Sequence, residues 1–87
     1  MVYLIHFDRP YHHARHYVGW TRDAKSLPRR VKHHRNGSGA RLLGVVSAAG
    51  IGFDVARTWP DGTRDDERRL KNQKHGPRLC PLCAKAA

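Results

Sequence analysis

Acidic residues are scarce in this sequence. Seven Asp and Glu stand against seventeen Lys and Arg, leaving a formal net charge of +10 over 87 residues. A small domain with so uneven a balance repels itself and attracts polyanions, either nucleic acid or an anionic membrane surface. Long apolar runs are also missing. No stretch approaches the roughly 18 apolar residues of a membrane span, and the start, MVYLIHFDRP, has no basic segment leading into a long apolar one. A soluble, unexported, cytoplasmic chain with no membrane partner is therefore expected. With two cysteines there is no disulfide framework, which fits a reducing compartment. Length excludes more. A chain of this size buries only about 60–65% of the surface it exposes when unfolded, enough for one thin core and too little for a multi-domain enzyme or a large cofactor fold. No internal repeat, linker or low-complexity segment is present.

What is there falls into short apolar blocks. Val2-Tyr3-Leu4-Ile5-His6-Phe7 is β-branched and aromatic on both faces, so it reads as a central strand that ends at Asp8-Arg9-Pro10. After a longish polar loop, residues 16–21 supply a second strand and complete a hairpin. From Ser26, a candidate N-cap with Pro28 in the first turn, Leu27, Val31 and His34 fall at helical spacing, until Asn36-Gly37 stops the helix. Residues 40–49 carry a wide apolar stripe of helical period ended by Gly50. Alternation at 53, 55, 57 and 59 marks a third strand closed by Pro60-Asp61-Gly62. Thr63 then caps a last helix whose first turn holds Asp65, Asp66 and Glu67 and whose last holds Lys71, Lys74 and His75, matching the helix dipole at both ends. The expectation is one α+β domain over residues 1–76, a three-stranded antiparallel sheet flanked by helices in the order β-β-α-α-β-α, followed by a tail over residues 77–87 with a C-x-x-C.

Three of the seven acids open the last helix. Hydrolysis of a phosphodiester requires a cation to neutralise charge on the phosphate oxygens, a carboxylate to hold that cation, a fixed positive group on the phosphate, and a proton acceptor for the attacking water. Glu67, Arg30 and the tyrosines are the residue types that supply these parts. Taken singly they are unspecific. A strand tyrosine is ordinarily a packing residue, and a glutamate in the first turn of a helix ordinarily compensates the dipole.

The spacing of the whole set is more specific. Met1-Val2-Tyr3 and Tyr17-Val18-Gly19, thirteen residues apart (residues 4–16), precede Trp20-Thr21, the basic run Leu27-Pro28-Arg29-Arg30-Val31-Lys32-His33-His34 and the turn Asn36-Gly37-Ser38-Gly39-Ala40-Arg41. In this order the sequence resembles the GIY-YIG nuclease family over residues 1 to about 75. The run YVGWT…PRRVKHH…G-x-GAR is similar to the family's structure-specific, junction-cutting branch, and the one-domain form to its small bacterial and phage members. Met1-Val2 departs from the Gly-Ile of the motif, and Tyr3 lies near the chain start, where strands fray.

The resemblance implies a metal-dependent endonuclease that hydrolyses DNA phosphodiester bonds in line, using Mg²⁺ or Mn²⁺, with a place in DNA repair or recombination. Tyr3, Tyr17, Arg30 and His34 correspond to the catalytic positions, Glu67 to the metal-binding glutamate and Gly19 to the motif glycine. Arg29, Lys32, Arg35 and Arg41 lie on or next to the same basic segment and are candidate DNA contacts. A free tyrosine, with its pKa near 10, is a poor base unless neighbouring cations favour the phenolate, and the chain has many cations. Tyr3 is the base by analogy, Tyr17 binds water or a phosphate oxygen, Arg30 clamps the phosphate, and His34 positions a water or meets the phosphate as a cation.

The substrate would be duplex, branched or flapped DNA, with low sequence specificity or recognition by shape. The core would lack a targeting domain, so a partner protein would supply targeting, or a homodimer would cut both strands. A non-catalytic, basic nucleic-acid-binding module of the same fold is the competing reading, but such a binder has no use for a carboxylate at the phosphate. His6, His12, His13 and His16 match no familiar metal spacing and read as solvated loop histidines. Cys80-Pro81-Leu82-Cys83 has no second cysteine pair. Free thiols that pack the C-terminal tail are the preferred reading; the alternative, a zinc site at Cys80 and Cys83, would take His75 as its nearest further ligand, and a zinc-stabilised interaction protein is the function it would suggest.

Overall fold

Val2, Tyr3, Leu4, Ile5 and Phe7 are all buried in the first strand, which can happen only to a strand flanked on both edges and covered on both faces. The computed structural model describes residues 1–12, 14–37, 39–73 and 79–82. It contains β1 (Val2–Tyr11), β2 (Ala14–Trp20), a 3-10 turn (Ala24–Ser26), α1 (Leu27–Arg35), α2 (Arg41–Ala48), β3 (Phe53–Trp59) and α3 (Arg64–Gln73). The strands form one antiparallel sheet in the order β2-β1-β3, with β1 central. The fold is α+β, and among the elements of the described residues the 3-10 turn is the one addition to the expected order. Among the described residues no helix is long and apolar enough to cross a membrane.

Both hairpin strands run further than the sequence suggests. β1 continues through Pro10 to Tyr11, because Phe7 packs against Phe53 with ring centroids 6.3 Å apart and the Asp8 amide donates to the Gly52 carbonyl at 2.8 Å. Pro10 is tolerated because β1 and β2 lose register between His6 and Tyr11, where a missing amide breaks no ladder. The long loop is thus a tight tip closed at Tyr11 and Ala14, with His12 in the left-handed conformation at φ 54°. The chain start is tied down as well. The Met1 ammonium donates to the Thr21 carbonyl at 3.0 Å and the Thr21 amide to the Met1 carbonyl at 2.9 Å.

Side chains 3, 5 and 7 of β1 share one face of the sheet and pack with Leu43, Val46, Ile51 and Phe53 into the main core. Each fully buried aliphatic of this group contributes roughly 1.5–3 kcal/mol. In β3 the alternation expected at 53, 55, 57 and 59 is broken: Ile5 pairs with Val55 but Leu4 pairs with Arg57, so a bulge at Ala56 shifts the remainder of the strand.

Helix ends follow local chemistry. Ser26 has helical backbone and makes no side-chain cap, contrary to expectation; Asp23 accepts from the Ser26 amide and hydroxyl, both at 2.9 Å, and so starts the 3-10 turn that leads into α1. Gly37 (φ 80°) and Gly50 (φ 77°) take the left-handed conformation that ends α1 and α2. Thr63 caps α3 as expected. Its hydroxyl accepts from the Asp66 amide at 3.2 Å while Asp66 accepts from the Thr63 amide at 2.9 Å, a reciprocal box with aspartate in the usual glutamate position.

Candidate functional site

Tyr3 and Tyr17 project from the core face of adjacent strands, and α1 brings His34 against both. Ring centroids are 6.4 Å apart for the two tyrosines, 6.1 Å for Tyr3 and His34, and 5.6 Å for Tyr17 and His34. Tyr3 is fully buried and His34 is 1% exposed. Two glycines make this possible. Tyr3 and Gly19 are cross-strand partners, and a Cβ on Gly19 would overlap the Tyr3 ring at its hydroxyl end. A Cβ on Gly39 would likewise overlap the His34 ring. The Gly-x-Gly turn after α1 therefore bears on His34 as well as on chain reversal.

The hydrogen bonds of His34 fix its tautomer. Nδ1 accepts from the Ala40 amide at 3.1 Å, so the neutral ring carries its proton on Nε2, which stands 2.8 Å from Tyr3 Oη and donates to it. Neither ring nitrogen is left for water or phosphate, contrary to the role expected for His34. It is a positioning residue, holding Tyr3 and directing a donor at its oxygen. Burial pushes the His34 pKa below the ordinary 6.5, and the positive charges of Arg30 and His33 push it the same way.

Arg30 of α1 and Glu67 of α3 reach the same place. Burial raises the Tyr3 pKa above the ordinary 10.0, with Arg30 opposing and Glu67 reinforcing the shift. Tyr17 is raised by burial, then by Tyr3 and Glu67, against Arg30. The cations were expected to favour a phenolate. Desolvation outweighs them, so both groups are phenols in the free protein. Of the three acids opening α3, only Glu67 is turned to the tyrosines; Asp66 is committed to Thr63 and Arg69.

Lys71, one turn after Glu67, pairs with it at 3.7 Å and lies over the Tyr17 ring at 5.2 Å. Along the sequence Lys71 stands only as a match to the helix dipole. Its i, i+4 relation to Glu67 was the available signal.

A groove of about 310 Å³ adjoins this cluster, lined by Trp20, Thr21, Arg22, Ser26, Arg29, Arg30 and Arg64. The Arg64 guanidinium stacks 4.5 Å over the Trp20 ring. Arg30 faces both the groove and the tyrosines, so four arginines lead up to the two phenols. A second cleft, about 450 Å³, between Trp59–Gly62 and α3 is larger but holds none of the candidate residues. Arg22 and Arg64 escaped the sequence reading because nothing local distinguishes them from other surface arginines.

Of the expected DNA contacts, Arg29, Lys32 and Arg41 are exposed. Arg35 is drawn onto β3, donating to the Phe53 carbonyl at 3.1 Å and pairing with Asp54 at 3.4 Å.

Cys83 and His75 lie outside the described residues, as does His13. Cys80 is a buried free thiol and approaches His6 of β1, with Sγ 3.4 Å from Nδ1. His6 and His16 are partly buried strand residues and face each other, which corrects their reading as solvated loop histidines. His12 alone of the described group is exposed at the hairpin tip.

Comparison of the chain with models of known families, with curated proteins and with solved structures finds no match.

Proposed function

We propose that this chain is a divalent-metal-dependent endonuclease of GIY-YIG type that hydrolyses phosphodiester bonds in DNA, with low sequence specificity or selection by substrate shape. The observation that carries this reading is the convergence of Tyr3, Tyr17, Arg30, His34 and Glu67, from four separate elements, at the end of an arginine-lined groove. A packing cluster has no need of an arginine and a glutamate around one buried and one half-buried phenol.

Glu67 fits a hard cation. One carboxylate, completed by water and substrate phosphate, is a normal Mg²⁺ environment, and the group when bound would supply positive charge to the phosphate oxygens. The chain's own residues supply the rest. The four arginines draw the DNA backbone along the groove, and Arg30 at its inner end grips the scissile phosphate through paired N–H donors. Tyr17 directs its hydroxyl at water or a phosphate oxygen.

The role of base requires Tyr3, fully buried in the free protein, to be uncovered by the bound DNA and to lose its own phenol proton to solvent before its oxygen takes the proton of the attacking water. The Nε2–H of His34 and the charge of Arg30 are the groups that favour that phenolate. The burial that raises its pKa also strengthens both interactions.

The test is incubation of linear, branched and single-stranded DNA with the protein and Mg²⁺ or Mn²⁺, beside Glu67→Ala and Tyr17→Phe. Each variant is expected to bind DNA and to cut it about 100-fold more slowly or worse. Identical product patterns and rates for wild type and Glu67→Ala would overturn the assignment. Binding by wild type without any cutting would favour a non-catalytic binder.

A further inference from the structure

We propose that this chain holds a zinc ion on the face of the sheet opposite the tyrosines, bound by His6, His16 and Cys80. His6 and His16 are cross-strand partners in register, so they leave the same face of β1 and β2. Alternation along β1 puts that face opposite Tyr3.

The spacing is that of a metal site. His6 Nδ1 and His16 Nε2 are 3.4 Å apart, Cys80 Sγ is 3.4 Å from the same Nδ1, and the three ligand atoms all lie within 4.8 Å of one another. Around tetrahedral zinc, bonds of about 2.0–2.1 Å to nitrogen and about 2.3 Å to sulfur put ligand atoms about 3.3–3.6 Å apart. Two edges of the tetrahedron are already present. The fourth position falls to water or to a further donor, and Cys83, which completes a C-x-x-C with Cys80 in the sequence, is the candidate that the experiment tests.

Imidazole and thiolate donors in this geometry select zinc over the hard cations expected at Glu67. A ligand pair 74 positions apart in sequence, His6 and Cys80, closes most of the chain into one loop and fastens its C-terminal segment to the central strand, a staple of the kind small domains need. The site takes His6 and His16 where the sequence suggested His75. It stands whether or not the opposite face cuts DNA.

The experiment is Co²⁺ titration of the reduced, metal-stripped full chain, followed by optical absorption. Expected are the intense bands of tetrahedral cobalt and a thiolate charge-transfer band, saturating at one ion per chain and bleached by Zn²⁺. Cys80→Ser should weaken the charge-transfer band, and Cys83→Ser separates a second thiolate from water at the fourth position. His6→Asn and His16→Asn should each weaken cobalt binding by more than the roughly 10–100-fold that losing an outer-shell partner costs, while His75→Asn leaves it unchanged.

Far-ultraviolet circular dichroism of the metal-free variants separates a lost ligand from a lost fold. As a reading that needs no folded variant, a zinc chelator should lower the Tm of wild type. Weak octahedral cobalt bands without charge transfer would overturn the proposal. So would His6→Asn and His16→Asn proteins that bind like wild type.

Discussion

The ring of Tyr3 lies across the backbone of Gly19, its cross-strand partner, leaving no room there for a Cβ. Gly19→Ala must push Tyr3 off His34 or part the two strands. Overpacking of this kind costs about 1–3 kcal/mol, so the urea midpoint should fall by a corresponding amount and DNA cutting should fall with it. An unchanged midpoint would mean that Tyr3 moves freely, and the buried position described for it would then be wrong.

Tyr3 and His34 should behave as one unit. Removing either leaves the other's polar atom buried without its partner, at a cost of about 1–3 kcal/mol. Tyr3→Phe and His34→Ala should each destabilise by that order. The double variant should lose less than the sum, with a coupling of about 0.5–3 kcal/mol. Denaturant unfolding of the four proteins checks this, and strict additivity would remove the hydrogen bond from the account.

Stability should decline on mild acidification through His34. Its folded pKa is below the ordinary 6.5, so below that pH the unfolded chain takes up a proton that the folded protein declines. The unfolded state then binds more protons, and stability falls as pH drops from the ordinary value toward the lowered one. Urea midpoints at about pH 8 and about pH 5 should differ more for wild type than for His34→Gln, whose side chain does not titrate there. Equal pH dependence in the two proteins would assign the effect to other groups.

DNA binding should depend steeply on salt, and the groove arginines should carry part of the slope. Arg29→Ala and Arg64→Ala are each expected to reduce the slope of log affinity against log salt by about one, as loss of one phosphate contact does. Arg35→Ala, held on β3 by Asp54 and the Phe53 carbonyl, should leave the slope nearly unchanged. Its exposed ion pair is worth about 0–1 kcal/mol to stability. A salt-independent complex would contradict the electrostatic account of the groove.

Local chemistry made most of the fold legible. The apolar run of β1, the stripe of α2 and the capping threonine of α3 each act within a few residues, and the elements formed where those signals lay. Strand length was less legible. Asp8-Arg9-Pro10 is a valid stop by propensity, and β1 passes through it because Phe53 and Gly52, more than forty residues further on, supply packing and a carbonyl. Ser26 lost its capping role to Asp23 through a 3-10 turn that no period announces. Tyr3, Tyr17, Arg30, His34 and Glu67 could be singled out in advance because their spacing is a pattern along the chain. Arg22, Arg64 and Lys71 could not, since only the folding of α3 beside β2 gives those cations something to face.

By itself the sequence determined the charge, the identity and order of the strands and α-helices, and the presence of the residue types that the proposed hydrolysis requires, all properties of composition and short-range period. Tertiary structure decided what those groups are chemically. Burial keeps both tyrosines phenols, raising their pKa values where a net charge of +10 would lower them. The Ala40 amide chose the tautomer of His34 and turned it from a phosphate contact into a support for Tyr3. The pairing of β1 with β2 set His6 opposite His16, where Cys80 meets them. Protonation, tautomer and ligand geometry depend on what surrounds an atom within a few ångströms, and in this chain those surroundings come from residues far apart in sequence.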